Sequence, residues 1–198
     1  MRRRAGAREP IVVCGIDPGL ATFGLALVQV SDEMPTVMRF DVHTSKPDPR
    51  KRDVTSADDL VDRTARLAMF LEGSVPKPPR VRAFLVEALS YPRSSSAAAK
   101  VALSWGVLVG FATSRVIPIV VASPQRVRDR VVGASVKGGK RQRITKEEVE
   151  AAVARKAVIS PGAWDSLDCI LERDREHAWD AAAVALALLD SPVVRALR

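Results

Sequence analysis

The sequence is short of cysteine, of acidic residues relative to basic ones, and of long uninterrupted apolar runs. Two cysteines in 198 residues, Cys14 and Cys169, supply neither a disulfide framework nor the spacing of a zinc site. Cys14 lies inside an apolar run and is expected to be a small core residue. A reducing, cytoplasmic setting is therefore expected. No apolar run reaches ~18 residues without a charge, so neither a transmembrane helix nor a membrane partner is expected. The basic stretch Met1 to Arg8 is followed by a short apolar run that contains Asp17 and has no small-residue cleavage site. It reads as a strand and not as a signal peptide. The shortage of acid leaves 31 Lys and Arg against 23 Asp and Glu, a net charge of +8. That balance suggests a polyanionic partner, with nucleic acid ahead of an anionic membrane.

The length fits one domain with a real hydrophobic core. Residues 1–10 read as a basic tail, 11–190 as the domain and 191–198 as a C-terminal tail. Ile11 to Asp17 is rich in β-branched residues and reads as a buried strand. Pro18-Gly19 is a turn. Phe23 to Val30 follows so closely that it must return antiparallel. Thr36 to Thr44, with polar Arg39 and Asp41, reads as an edge strand. Ala57 to Glu72 carries a helical apolar stripe with acid in its first turn. Arg82 to Glu87 is a fourth strand and Ile117 to Ala122 a fifth. Between them, residues 95–114 form a helix that is apolar nearly all round from Val101 to Ala112, so it must be covered on more than one side.

Ser123-Pro124 opens a short helix. Residues 133–143 are glycine-rich and basic and read as a mobile loop. Thr145 and Glu148 form a capping box for the next helix. Arg175 to Leu189 is the last helix. Three strands followed by βα units imply an α/β fold, a five-stranded mixed sheet with helices on both faces.

Three acids stand out by position. Asp17 ends one buried strand and Glu87 another. Sites in open α/β sheets form beyond the carboxyl ends of strands. Asp180 is the only polar side chain between Ala178 and Leu189 and lies on a helical face that must pack on the sheet. A carboxylate there is costly unless a cation or hydrogen-bond donor meets it. His177, one turn earlier, points the same way. Each also has a plainer reading: Asp17 as a turn residue, Glu87 as a solvated strand end, Asp180 paired with arginine, His177 as structural.

A second cluster is basic. Arg126, Arg128, Arg130, Lys137, Lys140, Arg141, Arg143 and Lys146 fall within twenty-one residues that hold one acid, Asp129. Such a cluster beside a glycine-rich segment suits phosphate contacts, which give affinity and salt dependence without reading base sequence.

These residues carry a resemblance. Gly15-Ile16-Asp17-Pro18-Gly19 with Thr22-Phe23-Gly24 resembles the opening motif of RuvC-type Holliday junction resolvases, members of the RNase H-like superfamily. Val86-Glu87 resembles their second acid, and His177-Ala178-Trp179-Asp180-Ala181-Ala182 their C-terminal helix motif. Ala97 to Ala112, Val121 to Gly133 and Lys146-Glu147-Glu148-Val149 match in order and spacing. The resemblance implies an RNase H-like fold and a homodimer that cuts four-way junctions and other branched DNA, leaving a 5′-phosphate and a 3′-hydroxyl. It further implies Asp17, Glu87, Asp180 and His177 as catalytic metal ligands for two Mg²⁺ ions, with Mn²⁺ as substitute. Two such ions ~3.5–4 Å apart activate water and stabilise the leaving oxygen. Asp17, central on the first strand, is the candidate to bridge them.

The basic residues Arg128, Arg130, Lys137, Lys140, Arg141, Arg143 and Lys146 are the expected DNA contacts. The family places an aromatic a few residues after the second acid; here Tyr91 is the nearest. A branch-migration motor is a possible partner of such enzymes. Two rivals stay open: a YqgF-like nuclease acting on RNA, against which the C-terminal HxxD motif argues, and a junction-binding protein without activity. An actin-like or sugar-kinase domain, which also uses an Asp-Pro-Gly turn, needs a second glycine-rich half that this length cannot hold.

Overall fold

In this computed structural model the described residues are 9–45, 56–77, 80–88, 94–133, 136–137, 140–141 and 143–198. Three antiparallel strands open the chain: β1 (Ile11–Asp17), β2 (Thr22–Val30) and β3 (Thr36–Thr44). Helix α1 (Ser56–Ser74) leads to β4 (Val81–Glu87), and α2 (Ser95–Ser114) leads to β5 (Ile119–Ala122). After these come α3 (Pro124–Val131), the strands β6 (Val136–Lys137) and β7 (Lys140–Arg141), and α4 (Lys146–Lys156). The chain ends with β8 (Val158–Ile159), α5 (Pro161–Asp168), α6 (Arg175–Leu188) and α7 (Pro192–Leu197).

The main sheet has the order β5-β4-β1-β2-β3-β8, with β4 parallel to β1 and β5 parallel to β4. It has six strands where five were expected. The sixth, β8, is a two-residue strand parallel to the start of β3. It is held there by Val158 N–H donating to Pro35 O at 2.9 Å and Ser160 N–H donating to Val37 O at 3.0 Å. Beyond it, the Phe40 N–H of β3 donates to Ser166 Oγ of α5 at 2.9 Å, so a helix blocks part of the edge.

Side chains alternate across this sheet with period two. Cys14 and Ile16 of β1, Leu25 and Leu27 of β2 and Phe84 and Val86 of β4 form one core with α1 and α2. Ile11 and Val13 of β1, Ala26 and Val28 of β2 and Ala83 and Leu85 of β4 form the other, under α6 with α3, α4 and α5 around it. By that alternation, Asp17 and Glu87 belong to the α6 face. Helix α6 is buried nearly all round, from Ala178 to Leu188, because it is the central helix of its layer. Its alanines let it lie flat on the strands.

Three other expectations change. The glycine-rich basic segment contains an antiparallel pair, β6 with β7. Residues 191–198, read as a tail, include α7, with Ser191 capping the helix and Val194 buried. Helix α2 is less covered than its composition demands: Leu108, Phe111 and Ala112 enter the core, while Ala98, Ala102, Gly106, Val109 and Gly110 face outward. Among the described residues it is the one helix long and apolar enough to cross a membrane by length and composition.

Candidate active site

Strand pairing brings the first two acids together. Ile16 pairs with Val86 in the parallel β1–β4 ladder, so Asp17 and Glu87 end neighbouring strands on the same face. Two glycines bring the third. A Cβ on Gly15 would stand 2.0 Å from the Ala181 carbonyl oxygen, and one on Gly24 would stand 2.0 Å from that of His177. Only bare backbone at both places lets α6 approach this closely. Gly24 is the partner of Asp17 in the β1–β2 ladder. The first turns of α6, with His177 and Asp180, are thereby set over the carboxyl end of β1.

The contacts are specific. His177 Nδ1 lies 2.7 Å from Asp17 Oδ2, with both side chains about a quarter exposed. On its other edge, Nε2 of His177 lies 3.6 Å from Glu176 Oε1, and Glu176 is in turn ion-paired with Lys146. A carboxylate on either side of an imidazole orients the ring.

Electrostatics mark the cluster as overcharged. Burial, then the charges of Asp17 and Asp180, push the Glu87 carboxyl up to about 7, against the pull of Arg128. Burial and Asp17 push Asp180 up to about 6, opposed by Arg128, His177 and Lys146. The hydrogen bond that His177 donates to Asp17 leads the causes that raise the His177 pKa, and burial opposes it. Half-buried carboxylates that repel one another are a usual feature of sites built for a cation.

The oxygen-rich donor set suits a hard divalent ion. As they stand, however, the described residues include no group of three His, Cys, Asp or Glu side chains arranged to hold one. The Asp17–His177 contact occupies a lone pair of Asp17 that such an ion would use.

The basic residues divide. Arg128 and Lys146 are near enough to act on Glu87 or Asp180. Arg130 donates to the Ala187 carbonyl at 3.0 Å, so its guanidinium anchors the C-terminal end of α6. Arg143 is exposed. Lys137, Lys140 and Arg141 lie in β6 and β7; their side chains, like the whole of Tyr91, lie outside the described residues. Glu176 was not singled out in the sequence, where it is one more acid in a helical first turn. The close-packing glycines were legible only as part of a motif.

The sequence matches no family model and no curated protein. Solved structures do match. RuvC of T. thermophilus in complex with a Holliday junction substrate aligns with 89% of this chain and 92% of its own, at 23% identity and a TM-score of 0.60. A second T. thermophilus RuvC structure aligns over the same shares at 24% identity and 0.59. The yeast mitochondrial Holliday junction resolvase Ydc2 aligns with 92% of this chain and 79% of its own, at 16% identity and 0.60. Over roughly nine-tenths of its length, the chain has the RNase H-like fold of these resolvases.

Proposed function

We propose that the protein is a divalent-cation-dependent endonuclease that cuts four-way DNA junctions, and other branched DNA, in recombination and repair. The observation that carries this is that Asp17, Glu87 and Asp180 feel one another's charge at the carboxyl end of the sheet, with His177 in contact with Asp17. The fold shared with the RuvC and Ydc2 structures supports the choice of substrate.

Asp17, Glu87 and Asp180 are the residues that would hold Mg²⁺ or Mn²⁺, with His177 turning from Asp17 to join them. Such an ion supplies Lewis-acid polarisation of the phosphate and a water of lowered pKa. The rest falls to the chain itself. Glu176 orients His177. Arg128 and Lys146, beside the carboxylates, hold the backbone phosphates of the cut strand. Arg143 and the basic strands Val136–Lys137 and Lys140–Arg141 extend that grip along the arms. None of these contacts reads bases, so junction shape decides the substrate.

Paired cuts need two such sites. The outward stripe of Ala98, Ala102, Gly106 and Gly110 on α2 allows close approach of a second copy of the same helix. A homodimer through α2 would cover the apolar surface and place two sites on one junction. Light scattering of the wild type and of Ala102→Glu tests this: a dimer and a monomer, respectively, are expected.

The function is tested by nicking of labelled four-way junctions against linear duplexes of equal sequence in Mg²⁺. Selective, symmetric cuts in the junction are expected. Equal cutting of the duplex would remove the substrate assignment.

A further inference from the structure

The stripe by which α1 packs on the sheet contains an anomaly. Leu67 and Leu71 are fully buried, and the position one turn before Leu67 calls for a third apolar residue. It is Arg63, only 3% exposed. A buried guanidinium carries a desolvation cost that a leucine or methionine would not, so what it touches matters. Its Nη1 donates to Asp59 Oδ2 at 3.4 Å, a loose i,i+4 pair. Its Nε donates to Ser45 Oγ at 3.1 Å.

Ser45, 2% exposed, is a hub. Its hydroxyl donates to the Leu20 carbonyl at 2.5 Å while accepting from Arg63. Its backbone N–H donates to the Ala21 carbonyl at 2.9 Å. Accepting from Arg63 orients the hydroxyl, whose single proton is left for Leu20. Leu20 and Ala21 lie in the loop that leaves β1 at Asp17 and enters β2 at Thr22, two residues before Gly24, the ladder partner of Asp17. That loop is tight: a Cβ on Gly19 would stand 2.4 Å from the Thr22 carbonyl oxygen. Arg63 and Ser45 therefore tie the far side of the loop to α1 and the end of β3, while Asp17 sits at its root.

We infer that Arg63 and Ser45 are positioning residues for Asp17. By pinning the 18–21 turn they hold the Asp17 carboxylate where a divalent ion can be shared with Glu87 and Asp180. This rests on the reading of Asp17 as a cation ligand. Neither residue touches substrate, and the effect passes through the backbone of the turn. Groups that orient metal ligands from behind are typically worth about 10–100-fold in metal affinity or activity.

The test uses Ser45→Ala, which removes only the hub hydroxyl, and Arg63→Met, which keeps the buried stem and removes the fork. Amide hydrogen exchange of residues 19–22, Mn²⁺ affinity by calorimetry and junction affinity without divalent ions are measured on folded protein. Faster exchange confined to the turn and its β3 neighbours is expected, with Mn²⁺ affinity and single-turnover nicking down about tenfold or more. Junction affinity should stay unchanged. Unchanged exchange in Ser45→Ala would overturn the clamp, and faster exchange with wild-type Mn²⁺ affinity would overturn the positioning role. If Arg63→Met does not fold, Ser45→Ala decides alone. A wild type that binds Mn²⁺ but never nicks junctions would overturn the nuclease reading, while exchange and calorimetry still decide the clamp.

Discussion

His177 Nδ1 and Asp17 Oδ2 stand 2.7 Å apart although 160 residues separate them in the chain. The contact fastens α6 to the end of β1 and strengthens the hold of His177 on its proton. An ion that takes Asp17 and His177 as ligands must displace that proton. Mn²⁺ binding should therefore tighten with rising pH across the range in which His177 is protonated, on the order of tenfold per pH unit for each proton released. Calorimetric titration in two buffers of different ionisation enthalpy counts the protons released. Glu87 and Asp180 contribute to that count, so wild type is compared with His177→Ala and should release more. Equal proton release by the two proteins would show that the histidine proton is not displaced.

Glu87 carries the other consequence of crowding. Its folded-state pKa of about 7 lies above its ordinary 4.5 because of burial and the charges of Asp17 and Asp180. A folded state that binds the proton more tightly gains stability that is complete below pH 4.5 and lost as pH rises through 7. Without divalent ions, Glu87→Gln should thus raise stability at pH 8, by roughly 1–3 kcal/mol, and change little at pH 4.5. Urea denaturation at the two pH values checks this. A variant less stable than wild type at pH 8 would mean that Glu87 is satisfied rather than strained.

Gly24 tests how closely α6 must sit. Gly24→Ala places a methyl 2.0 Å from the His177 carbonyl oxygen, a backbone atom that cannot swing aside. A stability loss of about 1–3 kcal/mol or more is expected, together with weaker Mn²⁺ binding as His177 and Asp180 lift away. Gly73→Ala, on α1 and with no atom within 4 Å of the added carbon, is the control. It should leave the stability of the subunit unchanged or raise it by up to about 1 kcal/mol. Similar thermal shifts for both variants would contradict the account.

Much of this was legible in the chain because it rests on periodicity and on element ends. Asp17 and Glu87 terminate strands whose alternation is clean, and Asp180 is the one polar side chain in the apolar run from Ala178 to Leu189. What escaped was short or depended on space. Two residues, Val158 and Ile159, are too few for any periodic signal, so the sixth strand went unread. Helix α5 and helix α7 have eight and six residues, below the span over which a stripe can be counted. The β6–β7 pair lies among glycines that suggest only a loop. Arg63 sits in register with Leu67 and Leu71 but is charged, and a stripe search passes over it. The acids themselves were visible; the glycines and the arginine that set them in place needed coordinates.

Val116 offers a change far from the site. It is 89% exposed and has φ of +56°, at the end of α2 where its own N–H donates to Thr113 O at 3.1 Å. A β-branched residue in the left-handed region costs about 1–2 kcal/mol, and glycine adopts it freely. Val116→Gly should raise stability by about 1 kcal/mol, since the gain exceeds the extra freedom of glycine in the unfolded chain. Junction binding and cutting should be untouched. Chemical denaturation with an unchanged or lowered midpoint would argue against a strained cap.

The central claim is that the three acids form a cation-dependent cutting site and not merely a strained cluster. Asp17→Asn tests it most directly, because it deletes one charge and keeps the side chain's size. Wild type and variant are compared on a synthetic four-way junction, by gel shift without divalent ions and by nicking in Mg²⁺ and in Mn²⁺. The account predicts that the variant binds the junction as tightly as wild type or more tightly, since a negative charge near phosphates is gone, and does not cut in either ion. Substantial cutting by Asp17→Asn, or a wild type that binds junctions and cuts nothing in either ion, would contradict it.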